Sequence, residues 1–278
     1  MKRRRMVMSI LFIIGAIGSI YLALCAFLYV KQDDFIFYRV ANDPALVKRW
    51  QAKRVEIATS ETTIEGWWSD NPDTVSNAVV LYFGGNAEDV LYAAQSAAKF
   101  NARHMLVTNY RGYGATRGRP NQQALLADAL AIYDYAVMQP GVSANNIVVM
   151  GRSLGSGVAT YLAASRPVRG VVLVTPYDSL VSVAQDHYRY VPIQWLLKSP
   201  MPATEWAHRV KAPVLVIAGE LDDVIPPNHA RELFGAFRVE KAIHVLPGVG
   251  HNDIDEHAQY SSLIQAFLLA RTEPARVK

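Results

Sequence analysis

The sequence predicts an α/β fold, a mostly parallel sheet of eight strands with helices on both faces, preceded by one membrane-crossing helix. The first observation is alternation. Short β-branched runs at 78–83, 105–109, 147–150, 171–175 and 214–218, with a weaker one at 243–246, alternate with segments of helical apolar spacing at 88–100, 122–138, 156–164, 229–237 and 257–269. Strands joined through helices in this way pair in parallel and are covered on both sides. The second is a hairpin at the entrance: 54–58 and 63–69 read as strands joined by a polar turn, and Asn71-Pro72-Asp73 marks the break after them. The third is an uncharged apolar stretch at the N-terminus.

That stretch covers 6–30, 25 residues without a charge, between Lys2, Arg3, Arg4 and Arg5 on one side and Lys31, Asp33 and Asp34 on the other. As a helix it measures about 37 Å at ~1.5 Å per residue, enough to cross roughly 30 Å of hydrocarbon with some tilt. Tyr29 falls where an interfacial aromatic belongs. A cleaved signal peptide is the competing reading, but its apolar region runs only ~7–15 residues. Leu22-Ala23-Leu24-Cys25 resembles a lipoprotein processing site, with Leu24 too large for the position. The positive-inside bias keeps the basic residues in the cytoplasm and puts the rest of the chain on the far side, the periplasm in a bacterium.

Composition agrees with one domain plus an apolar appendage: 278 residues, 51% apolar and 19% charged. Four of the positive charges behind the net charge of +4 lie in the first five residues, so the remainder is near neutral and no nucleic-acid surface is implied. Cys25 is the only cysteine, which excludes an intrachain disulfide and a thiolate metal cluster. The stretch 181–211, with Tyr188, Tyr190, Trp195, Trp206 and several prolines, interrupts the alternation; it reads either as a short cap over a pocket or as an ordinary connecting helix pair. Residues 271–278 read as a frayed tail.

Gly151-Arg152-Ser153-Leu154-Gly155 follows one strand and precedes a helix. This is the setting of a nucleophile elbow, where a serine sits in a strained turn and small residues two positions away let backbones approach. A bare Gly-Ser turn is the inert alternative. Serine needs a base oriented by a carboxylate, and the chain order Ser, Asp, His belongs to the α/β-hydrolase fold. His251, in the glycine-rich loop after the weak strand, is the candidate base; His104, His187, His208, His229, His244 and His257 read as structural or exposed. Asp222 is the preferred orienting acid over Asp223, with Asp178 a second choice. The backbone amides of Leu154 and of Asn86, in Gly84-Gly85-Asn86-Ala87, are the candidate oxyanion donors. This chemistry calls for no metal and no organic cofactor.

The run Asn109-Tyr110-Arg111-Gly112-Tyr113-Gly114 with Arg117-Gly118-Arg119-Pro120, the elbow, the loops 219–226 and 248–253, and Phe35-Ile36-Phe37-Tyr38 after the anchor together resemble the membrane-anchored α/β-hydrolase-domain serine hydrolase family. That family joins bacterial members to eukaryotic protein depalmitoylases, and the similarity covers nearly the whole chain. It implies that Tyr110 and Arg111 support the site. Relatives commonly carry His-Gly-Asn in the oxyanion loop, where this chain has Gly84. The division expected is a basic stub and anchor at 1–30 and an α/β-hydrolase catalytic domain at 31–278. The expected activity is hydrolysis of an ester or thioester through an acyl-enzyme, on a small-molecule or lipid-like acylated substrate. A silent membrane-tethered binding module, or an amidase or peptidase with the same triad, are the alternatives.

Overall fold

The computed structural model describes residues 2–270, so the tail expected at 271–278 lies outside the described residues. The chain begins with α1 (Lys2–Ile36), α2 (Pro44–Trp50) and a 3-10 turn (Gln51–Lys53), then β1 (Arg54–Ala58), β2 (Thr63–Asp70), β3 (Val79–Phe83) and α3 (Val90–Ala94). It continues with β4 (His104–Thr108), α4 (Gln122–Val137), β5 (Ile147–Arg152), α5 (Leu154–Ser165) and β6 (Gly170–Val174). Three short helices follow, α6 (Leu180–His187), α7 (Ile193–Leu196) and α8 (Ala203–Ala207), before β7 (Val214–Gly219), α9 (Pro227–Ala236), β8 (Lys241–Leu246) and α10 (Ala258–Ala270).

The strands form one eight-stranded sheet in the order β1-β2-β4-β3-β5-β6-β7-β8. β2 is antiparallel to both β1 and β4, and every pairing from β4 to β8 is parallel. This is the α/β-hydrolase arrangement the sequence predicts. Strand side chains alternate between two apolar layers: Leu81, Val149, Leu173 and Val216 pack with α4, α5, α8 and α9, whereas Val80, Val148, Val172 and Leu215 pack with α3 and α10. Burial on both faces explains why these strands read as unbroken apolar runs.

Local chemistry sets the ends of several helices. Asn121 Oδ1 accepts from Ala124 N at 2.9 Å to start α4, and Asp43, ahead of Pro44, accepts from Ala45 N at 2.8 Å to start α2. The helix expected over 88–100 is shorter: α3 ends at Ala94, and a run of turns reaches Asn101 at φ +56°. Those turns still bury Ala97 and Phe100, so the apolar spacing is served without a continuous helix. α1 runs past residue 30 without a break and, at 35 residues, is about 52 Å long at ~1.5 Å per residue.

Residues 181–211 divide in two. α8 belongs to the core, with Ala203, Trp206 and Ala207 buried under the α5 side of the sheet, and α7 packs instead against α1. Arg111 is locked by two 2.7 Å hydrogen bonds, Nε and Nη2, to the two carboxylate oxygens of Asp128, and it also meets Glu61. Both side chains of the Arg111–Asp128 pair are only 5% exposed. Removing Asp128 leaves a buried guanidinium whose remaining partner is the exposed Glu61, so Asp128→Ala should cost about 3 kcal/mol in denaturant unfolding. The double change Arg111→Met, Asp128→Leu should regain most of that; a double variant as unstable as the single one would rule out this account.

Candidate active site

Register brings three strand tips to one rim. Phe83 lies opposite Gly151, and Arg152 opposite Val174, so the residues following β3, β5 and β6 emerge together. Ser153 sits between β5 and α5 at φ +49° and ψ −116°, with its N–H donating to Val174 O at 2.9 Å. Thr175, at the tip of β6, is also in the left-handed region at φ +45°. For residues other than glycine these angles are strained and persist only where surroundings impose them.

Two glycines make the turn possible. A Cβ on Gly155 would lie 2.0 Å from Phe83 O, and one on Gly151 would lie 2.2 Å from Gly155 O. Only hydrogen at both positions lets the first turn of α5 pass so close to β3 and β5.

His251 is held in the loop after β8, with its Nε2 3.0 Å from Ser153 Oγ and its Nδ1 2.8 Å from Asp222 Oδ2. The other oxygen of Asp222 accepts from Val224 N at 3.0 Å and Ile225 N at 2.7 Å, so the carboxylate is fixed from both sides. Ser153 and His251 are 9% exposed and Asp222 is 4% exposed. Asp223 is exposed and takes no part. The three residues predicted as a unit thus meet in space, 98 and 29 positions apart along the chain.

The loop 84–86 passes beside Ser153: a Cβ on Gly85 would lie 3.6 Å from Ser153 Cβ. Glu88 accepts from Gly85 N at 2.6 Å and from Tyr82 Oη at 2.7 Å, and Tyr110 Oη donates to Gly84 O at 2.8 Å. Burial pushes the Tyr110 phenol well up, which keeps it a donor. Asn86 Oδ1 accepts from Tyr113 Oη at 2.9 Å and from Tyr38 N at 2.8 Å. Asn86 is therefore anchored from two sides. Among the described residues neither its own N–H nor that of Leu154 has a protein acceptor. Tyr177 Oη donates to Leu154 O at 3.0 Å and steadies the first turn of α5.

Glu88, Tyr38, Tyr177 and Arg152 escaped the sequence reading. Only Glu88 left a local trace, three residues after Gly85. Arg152 joins two parts of the site, because its Nη2 donates to the carbonyl oxygens of His251 and Asn252, each at 3.2 Å. Arg111 serves the Asp128 pair described above.

Asp178, the second-choice orienter, pairs with a different histidine. His229 is 2% exposed; its Nδ1 lies 2.8 Å from Asp178 Oδ1, and its Nε2 lies 3.2 Å from Asp186 Oδ2, off the line of a hydrogen bond. This joins α9 to α6 and to the segment before it. Among the described residues no group of three or more His, Cys, Asp or Glu side chains is arranged to hold a metal ion.

A sheet of this order, with a serine at the β5–α5 turn, an acid after β7 and a histidine after β8, defines an α/β-hydrolase. The chain belongs to the dienelactone hydrolase family, whose model matches residues 108–265. It is 33% identical to an uncharacterized protein of Mycobacterium tuberculosis over 87% of this chain and 88% of the other. It is 27% identical to alpha/beta hydrolase domain-containing protein 17C of Xenopus tropicalis, over 90% of this chain and 78% of that protein, and 28% identical to protein bem46 of Schizosaccharomyces pombe, over 78% and 76%. These relatives bear out the resemblance read from the sequence. The fold is similar to that of Est1E from Butyrivibrio proteoclasticus with ferulic acid bound, at a TM-score of 0.63 and 15% identity over 78% of this chain and 98% of that one. It is also similar to an esterase of Pyrococcus furiosus, at 0.61 and 19%, over 79% and 90%. The chain is a hydrolase.

Arg152→Ala should free the 248–253 loop, seen as faster amide hydrogen exchange there than in the parent. Unchanged exchange would mean that the guanidinium does not hold the loop. The bond to Asp178 raises the pKa of His229 against the effect of burial, with Asp186 adding to it. A raised histidine pKa stabilises the fold below the unfolded value of about 6.5, and that contribution is lost as pH rises through the folded value. The Tm difference between parent and His229→Gln should therefore be larger at about pH 6 than at about pH 9; an equal difference at both would mean that folding leaves the pKa of the ring unshifted.

Proposed function

We propose that the protein is a serine hydrolase that cleaves an ester or thioester through an acyl-enzyme. The observation that carries this reading is the imidazole of His251 lying within hydrogen-bond reach of Ser153 Oγ on one side and of Asp222 on the other. Ser153 Oγ attacks the carbonyl carbon as its proton passes to His251 Nε2. The carbonyl π electrons move onto oxygen, where the N–H groups of Asn86 and Leu154 receive the negative charge. Such preorganised donors contribute about 3–4 kcal/mol each to acyl transfer. Collapse expels the alkoxide or thiolate, which takes the proton from the imidazolium. Water, deprotonated in turn by His251, then releases the acid and restores Ser153. Asp222 keeps the ring in the tautomer with hydrogen on Nδ1 and stabilises the cation as it forms.

α1 is long and apolar enough to cross a bilayer and lies close to the N-terminus. In this reading it is an uncleaved single-pass anchor through 6–30, and the basic residues before it set the hydrolase domain on the non-cytoplasmic side, the periplasm of a bacterium. Small-molecule or lipid-like acylated compounds are the substrate class, on account of the nearby membrane.

Ser153→Ala should lower kcat on a chromogenic ester by about a million-fold. The parent should also be labelled covalently by a fluorophosphonate probe and the variant should not. Undiminished hydrolysis by Ser153→Ala would overturn the assignment.

A further inference from the structure

The second half of α1 does not stand clear of the domain. Tyr21 Oη donates to Tyr190 O at 2.7 Å, Gln32 Nε2 donates to Leu196 O at 2.9 Å, and Gln32 Oε1 accepts from Lys198 N at 2.7 Å. Lys198 Nζ lies 4.2 Å from the centre of the Tyr29 ring. From Tyr21 to Gln32 the contact runs about 16 Å along the helix at ~1.5 Å per residue. The hydrocarbon of a bilayer occupies only about 20 residues of a helix, so counted from Arg5 it ends at about residue 26. The segment around Tyr190 therefore lies at the membrane boundary. Its exposed side chains suit that depth: Tyr190 is 89% and Trp195 is 78% exposed, and both are aromatics with a polar tip.

Between α1 and this segment is an open cleft of about 90 Å³, with Leu28, Phe35 and Ile36 on one side and Ala184, Val191 and Leu197 on the other. Gln32 also lines it, but its amide is engaged with Tyr29 O, Leu196 O and Lys198 N. The rest of the lining is almost wholly apolar, so an occupant gains by burying hydrocarbon. The cleft ends close to the rim of the sheet. Ile36 is two residues from Tyr38, at most about 7 Å along the chain, and Tyr38 N donates to Asn86 Oδ1.

We infer that this cleft receives an acyl chain of a bilayer glycerophospholipid, which enters sideways from the membrane with its ester end toward Ser153. One wall is the continuation of the membrane helix just past the hydrocarbon boundary, from Leu28 to Ile36, so the chains of the surrounding lipids are the hydrocarbon within reach. Binding of the chain rests on α1 as a membrane span; the orientation of its ester end rests also on Ser153 as nucleophile.

The test uses the full chain in phosphatidylcholine nanodiscs containing a phosphatidylcholine with a diazirine at the end of its palmitoyl chain. After irradiation, peptides from the 184–197 segment should carry the label. Leu28→Trp and Ala184→Trp, which fill the cleft from opposite walls, should each reduce that label at least fivefold relative to the label on 6–20. Each should also lower the ratio of kcat/KM for p-nitrophenyl palmitate to that for p-nitrophenyl butyrate at least tenfold. Absence of label on the segment, or label indifferent to both tryptophans, would overturn the inference. Label that behaves as expected in a protein whose Ser153→Ala variant still hydrolyses both esters would sink the serine assignment and leave the acyl site standing.

Discussion

The arrangement depends on one close approach, that of Gly155 to the carbonyl of Phe83. Backbone against backbone at this point fixes the first turn of α5 over the end of β3. It imposes the positive φ on Ser153 and sets the amide of Leu154 on the same side as the loop 84–86. A side chain here would lift the helix and separate the serine from everything assembled around it. The strain in Ser153 is held by the neighbouring strands, since its N–H is bonded to β6 and Thr175 N is bonded in turn to Ile217 O of β7.

Much of this was legible in the sequence because the deciding residues announce themselves locally. Gly151, Ser153 and Gly155 stand between a β-branched run and a helical one, and His251 and Asp222 each follow a strand with glycine nearby. A parallel sheet collects such positions at one edge, so order along the chain was enough to bring the three together. Strand positions were equally readable, because strands buried on both faces have little freedom in composition.

What stayed hidden was made by contacts between distant segments. The charges of Lys31, Asp33 and Asp34 read as the end of the apolar helix, yet α1 continues to Ile36, with Asp34 bridging Lys31 and Arg39 and with Gln32 buried against 196–198. Leu196 and Lys198, which hold it there, are both far from Gln32 in sequence. The same holds for Arg152 and the His251 loop, and for Tyr38 and Tyr113 on Asn86. Support for the loop 84–86 comes from phenols and from Glu88, residues whose roles depend on the finished fold. Asp178, the second-choice orienting acid, faces His229 rather than His251, a distinction that requires knowing which carboxylate faces which ring.

One consequence follows from the way α1 meets the rest of the chain. Phe37 is buried immediately after the helix ends, and the next residue is bonded to Asn86, so no slack separates the membrane rod from the loop beside Ser153. Membrane helices adjust to bilayer thickness by tilting, commonly by about 20°. If α1 spans a bilayer as proposed, a change of tilt has no swivel in which to dissipate and is passed to the loop beside Ser153. On that reading the lipid phase would be a mechanical input to the hydrolase as well as its resting place.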